Sequence, residues 1–111
     1  MWIITAAGFY SVVRKPTDPA GKLTIRSRVK KDLVNLKKRL PGLSAIIESD
    51  DSDYRYRAFA KPEELADALS KLVMDINYSN FKGKIEKENR YRATIYHQVW
   101  GELMALEHED S

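Results

Sequence analysis

The chain contains no cysteine. Disulfides, Cys-based zinc sites, iron–sulfur clusters and thiol nucleophiles are thereby excluded. Histidine is nearly absent, with only His97 and His108, so a zinc site would have to recruit carboxylates from elsewhere. The pair does not have the i, i+4 spacing of a metal-binding helix, and His108 stands in an acidic tail. Gly-rich phosphate loops, nucleophile elbows and metal-helix motifs are also missing. Long apolar runs are missing as well. Met1 to Val13 carries no charged side chain, but it falls short of the roughly 20 residues a membrane span needs. Thr5, Gly8 and Ser11 interrupt it. Arg14 and Lys15 follow it, whereas a signal peptide places its basic residues first. The expectation is a buried strand pair in a cytoplasmic protein without membrane contact.

What is present suffices for one folded domain over residues 1–111. At this length one core forms without metal or disulfide support. An apolar fraction of 43% also excludes a wholly disordered chain. The net charge of +3 conceals an uneven distribution. Glu102, Glu107, Glu109 and Asp110 close the chain without a compensating Lys or Arg, leaving 19 basic against 12 acidic residues in 1–101. Lys22 to Arg39 holds eight basic residues and the single acid Asp32. Such a run attracts polyanions or acidic protein surfaces, or else simply solvates a face.

Apolar periodicity divides the chain into elements. Trp2–Thr5 and Phe9–Arg14 read as short strands around an Ala7-Gly8 turn, and Pro16 to Gly21 is a dense turn signal. Leu23–Val29 alternates, with Leu23, Ile25 and Val29 on one face and Arg26 and Arg28 on the other. A helix containing Asp32, Leu33, Leu36 and Leu40 stops at Pro41-Gly42. Ala45–Glu48 and Tyr54–Ala60 are strands flanking an Asp/Ser turn. Pro62, Glu63 and Glu64 suit a helix start, and Leu65, Leu69, Leu72, Val73 and Ile76 form the expected stripe. A shorter helix capped by Ser79 or Asn80 follows, through Phe81 and Ile85, and then a final one from about Tyr91 to Leu106. Residues 9–40 and 44–76 resemble two copies of a ββα unit, followed by a helical segment over 79–107. The expected fold is α+β: an antiparallel sheet of four or five strands with helices mainly on one face.

Four segments carry a resemblance: Gly8 to Val13, Asp53 to Arg57, Asn77 to Lys82 and Tyr96 to Trp100. Together they look like a family of small bacterial hypothetical proteins of about this length, with no assigned activity. The likeness runs from residue 1 to about 106. It implies a free-standing bacterial protein and carries over no site.

Several constellations admit two readings. Asp50, Asp51 and Asp53, with Glu48, suit a hard cation by ligand type, but they lack the spacing and glycine of an EF-hand and equally form a solvated turn. His97 would need a partner carboxylate to act as a general base. Tyr91, Tyr96 and Trp100, with Ile95, Val99 and Leu103, make the last helix apolar around much of its circumference. Such a helix packs into a core or meets another subunit. Gly101 within it suggests close backbone approach, since glycine costs about 1 kcal/mol relative to Ala there.

Tyr54-Arg55-Tyr56-Arg57 is the most suggestive piece of chemistry. Interleaved Arg and Tyr on a sheet suit nucleic acid, through charge and base stacking. Strand alternation sends the tyrosines to one face and the arginines to the other, where only Phe59 joins them. No RNP1-like motif accompanies them. In the competing reading the tyrosines enter the core and the arginines pair with Asp53 or Glu48. The leading expectation is a non-enzymatic binding module, needing no cofactor or metal. Its basic sheet face, Arg26, Arg28, Arg55 and Arg57, engages nucleic acid or an acidic protein, unless Glu102 and Glu107 neutralise it. The alternative is a homo-oligomeric or protein-interaction module acting through Tyr91, Tyr96 and Trp100. A small enzyme centred on His97 is the third class.

Overall fold

Two short strands open the chain, β1 (Trp2–Ile4) and β2 (Phe9–Val13), joined by a turn built on Thr5. The Thr5 hydroxyl accepts the amides of Ala7 and Gly8 at 3.0 and 3.2 Å, and the Thr5 amide reaches the Gly8 carbonyl at 2.9 Å. A side chain thus satisfies backbone groups that a tight turn would otherwise leave unpaired. The computed structural model describes residues 1–50, 53–76 and 89–110. The chain falls into two compact units, Met1–Asp75 and Ile76–Ser111.

In the first unit, β3 (Leu23–Ser27) leads into α1 (Lys30–Lys37), and β4 (Ile47–Glu48) and β5 (Tyr56–Ala60) lead into α2 (Pro62–Met74). The five strands form one antiparallel sheet in the order β1-β2-β3-β5-β4, so the class is α+β. Tyr10, Val12, Ile25, Ala58 and Ala60 line one sheet face, where they meet Leu33 and Leu36 of α1, Leu40 and Leu43 of the following loop, and Leu65 and Ala68 of α2. Both helices of this unit therefore cover the same side of the sheet.

Asp32 fixes α1 against β2. Its carboxylate accepts the Phe9 amide at 3.1 Å and its carbonyl accepts the Tyr10 hydroxyl at 2.6 Å, while the residue itself is buried. At α2, Pro62 occupies the first helical position and Glu64 accepts the Lys61 amide at 3.0 Å, as the end signals predict.

Some expectations shift. The strand expected over Ala45–Glu48 is ordered as sheet only at Ile47–Glu48, because Ser44 already engages β5 by accepting the Phe59 amide at 2.8 Å. The strand expected from Tyr54 begins at Tyr56. The α2 stripe uses Leu65 and Ala68, with Leu69 and Leu72 half-buried, while Val73 and Ile76 are exposed. The helix ends at Met74 and its last turn overhangs the core. The helix anticipated from Ser79 or Asn80 lies outside the described residues.

The second unit holds α3 (Arg90–Leu103), capped by the Asn89 side chain, which accepts the Arg92 amide at 3.0 Å. It tightens into a 3-10 helix over Met104–Asp110 instead of running on to Leu106. Glu107 and Glu109 lie toward the negative end of the helix dipole, where acidic groups do not favour continuation.

Candidate anion-binding sheet face

The face of the sheet opposite α1 and α2 is set by strand register. Trp2 pairs with Ser11, Ser11 with Arg26, Arg26 with Arg57, and Arg57 with Ile47. These five residues form one row across all five strands. Residues two along a strand share its face, so Ile4, Phe9, Val13, Thr24 and Phe59 flank the row.

Arg26 and Arg57 thus stand directly opposite each other on adjacent strands. Like charges in that position destabilise a sheet. Arg26 donates to the Ser11 hydroxyl at 2.7 Å. The Nε groups of Arg26 and Arg57 are buried and donate to nothing among the described residues, and neither guanidinium ion-pairs with a described carboxylate. Asp18, in the β2–β3 loop, feels the charge of Arg57 without forming an ion pair with it. Desolvation pushes the Asp18 carboxyl up, but the Lys15 amide, which donates to it at 2.6 Å, and the charges of Lys15 and Arg57 help to hold its pKa below 3.8.

Tyr54 departs from strand phase. Because β5 starts only at Tyr56, Tyr54 does not follow Tyr56 toward the helices. It is buried outside the main core, with Arg26 4.5 Å and Arg28 4.8 Å above its ring centroid. Its ring lies 6.3 Å from that of Phe9, which in turn meets Trp2 edge to face at 5.6 Å. Aromatic rings therefore do stand among the arginines, supplied by Trp2, Phe9 and Tyr54 from separate segments. The sequence reading, confined to one strand, finds only Phe59 on that side.

Of the four arginines singled out from sequence, the structure joins Arg26, Arg28 and Arg57 around Tyr54 and the β3–β5 pair. Arg55 is engaged elsewhere, with Glu48 at 2.9 Å and Asp50 at 3.1 Å. Adjacent Tyr56 and these two carboxylates keep it more firmly protonated than an ordinary arginine. The long basic run also disperses, since Lys37 donates to the Leu43 carbonyl at 2.7 Å and Arg39 pairs with Asp75 at 3.1 Å.

The acidic turn spends Glu48 and Asp50 on Arg55, and Asp51 lies outside the described residues. No group of three or more His, Asp or Glu side chains among the described residues could hold a metal ion. Among the described residues no helix is long and apolar enough to cross a membrane.

In α3, no residue is buried. Tyr91 is 79% and Trp100 53% exposed, and Ile95 and Leu103 are exposed too. Tyr96 is half-buried under Arg92, which donates to its hydroxyl at 3.3 Å. His97 stacks on Trp100, with ring centroids 5.5 Å apart. A Cβ on Gly101 would meet nothing within 4 Å among the described residues, so the close approach expected there is absent. The chain matches no protein-family model, no curated protein and no solved structure.

Proposed function

We propose that this protein is a non-enzymatic binding module whose sheet face takes the phosphates of a nucleic acid through Arg26, Arg28 and Arg57. The observation that carries this reading is the direct opposition of Arg26 and Arg57 with no described carboxylate paired to either. Two adjacent guanidinium groups repel until an anion lies between them, and guanidinium binds phosphate in bidentate geometry. Arg55 contributes less, because Glu48 and Asp50 already hold it. The same reading places the protein in the cytoplasm, in contact with nucleic acid.

Fluorescence anisotropy of labelled DNA and RNA across a salt series tests this. Three arginine–phosphate contacts give a slope of log affinity against log salt of about −2.1 on single strands and about −2.7 on duplex. Arg57→Ala flattens that slope by about 0.7 to 0.9, and Arg55→Ala by less. Absence of binding to every DNA and RNA at low salt removes nucleic acid as the partner. Binding to polyglutamate instead transfers the face to an acidic protein.

A second reading rests on a separate observation, the exposure of Tyr91, Ile95, Trp100 and Leu103 along α3. Exposed aromatic and aliphatic side chains grouped on one helix suit a homo-oligomeric contact. A mass that rises with protein concentration would support it.

A further inference from the structure

We infer that the nucleic acid is single-stranded and that Trp2 stacks one of its bases, a step that rests on the phosphate-binding reading above. Trp2 is 68% exposed, yet it is not an isolated surface ring. It sits in the same cross-strand row as Arg26 and Arg57. Phe9 meets it edge to face with interplanar angle 88°, and Phe9 is backed by Tyr54 under Arg26 and Arg28. An edge-to-face contact occupies at most one face of the indole, so the other is open to a flat ligand. Strand spacing puts Trp2 roughly 10 Å from the Arg26 strand and roughly 14 Å from the Arg57 strand.

That combination distinguishes among anions. In a duplex the bases are stacked on one another inside the helix, and an aromatic platform beside the phosphate sites has nothing to stack. An acidic protein would match the arginines, and its side chains could also pack on an indole, but it offers no regular succession of flat rings between its charges. A single strand offers phosphates and unstacked bases together, and a sheet with aromatic and cationic side chains on one face receives both. A strand running across β1, β2, β3 and β5 would place a base on Trp2 while its phosphates reach Arg26 and Arg57.

The test uses the full chain carrying Trp100→Phe, which leaves Trp2 as the sole indole, with a short oligodeoxythymidylate, the matching oligouridylate and a duplex of the same length. Single strands are expected to quench Trp2 emission and to bind more tightly than duplex. Trp2→Ala is expected to weaken single-strand binding by roughly 5- to 150-fold with the salt slope unchanged, because the indole touches no phosphate. Trp2→Phe, which keeps an aromatic face, is expected to recover part of the loss. Arg57→Ala gives the opposite signature, a flatter slope with quenching retained. Salt-dependent binding without quenching, with Trp2→Ala unchanged, overturns the stacking role and leaves the phosphate reading standing. Duplex binding as tight as single-strand binding overturns the strand preference in the same way. Failure to bind any nucleic acid overturns both.

Discussion

At the scale of single residues, two glycines show how differently the same atom can be excluded. A Cβ on buried Gly8 would lie 2.6 Å from Cγ and 2.7 Å from Cβ of Asp32. Asp32 cannot retreat at no cost, because its carboxylate holds the Phe9 amide and its carbonyl holds the Tyr10 hydroxyl. Gly8→Ala is therefore expected to destabilise the fold by about 1–3 kcal/mol, the range for overpacking a closed site. Gly21 has open space around it but a φ of +73°. There the cost of Ala is backbone strain alone, about 1–2 kcal/mol. Asp32→Ala in the Gly8→Ala background separates the two: it should relieve part of the Gly8→Ala penalty and do nothing for Gly21→Ala. Urea unfolding of the four variants checks this, and equal effects of the second substitution in both backgrounds would refute the packing account.

At the scale of elements, much was legible because the signals were local. Capping by Pro62 and Glu64 and the alternation read over Leu23 to Val29, which the sheet keeps as far as Ser27, each depend on a few neighbouring residues. The stop expected at Pro41-Gly42 comes earlier, since α1 ends at Lys37. The face of Arg26 followed from the burial of Ile25 beside it. Tyr54 was not legible in this way, since its orientation depends on β5 starting two residues later than its β propensity suggests. Nor was the aromatic group, because Trp2, Phe9 and Tyr54 meet only through the β1–β2 pairing and the loop before β5, and register across strands has no linear signature. Helix α3 shows the limit from the other side: apolar density identified the helix but not what its stripe faces. Gly101 supplies the check on that element. With nothing within 4 Å among the described residues, Gly101→Ala should stabilise the protein by about 1 kcal/mol through helix propensity. Trp100→Ala should lower the melting temperature of a monomer, because the indole stacks on His97, and, if the stripe joins subunits, convert the oligomer to a folded monomer. Thermal denaturation and sedimentation distinguish these outcomes.

At the scale of the whole molecule, the two faces of the sheet differ in kind, one serving folding and the other, in the proposed function, serving binding. One is filled by Tyr10, Val12, Ile25, Ala58 and Ala60 against two helices, and nothing in its composition requires a partner. The other sets Arg26 against Arg57 at the centre of the sheet, between β3 and β5. A sequence selected for stability alone would place a neutral or opposite-charge pair there, since directly opposed like charges cost about 0.2–1 kcal/mol. Sites that bind commonly retain such local conflict because the ligand resolves it. Stability and affinity should therefore move in opposite directions at this position. Arg57→Gln keeps a polar side chain of similar reach and removes the repulsion, so the free protein is expected to gain up to about 1 kcal/mol. The same variant should bind single-stranded nucleic acid more weakly. A saturating oligonucleotide should stabilise the wild type by mass action, by about 2.7 kcal/mol at a ligand concentration one hundred times the dissociation constant, and so raise its melting temperature. The variant should gain less at the same concentration. Melting curves of both proteins, with and without oligonucleotide, provide all four values. A variant that is less stable when free yet stabilised equally by the oligonucleotide would show that Arg57 serves the sheet and not the ligand.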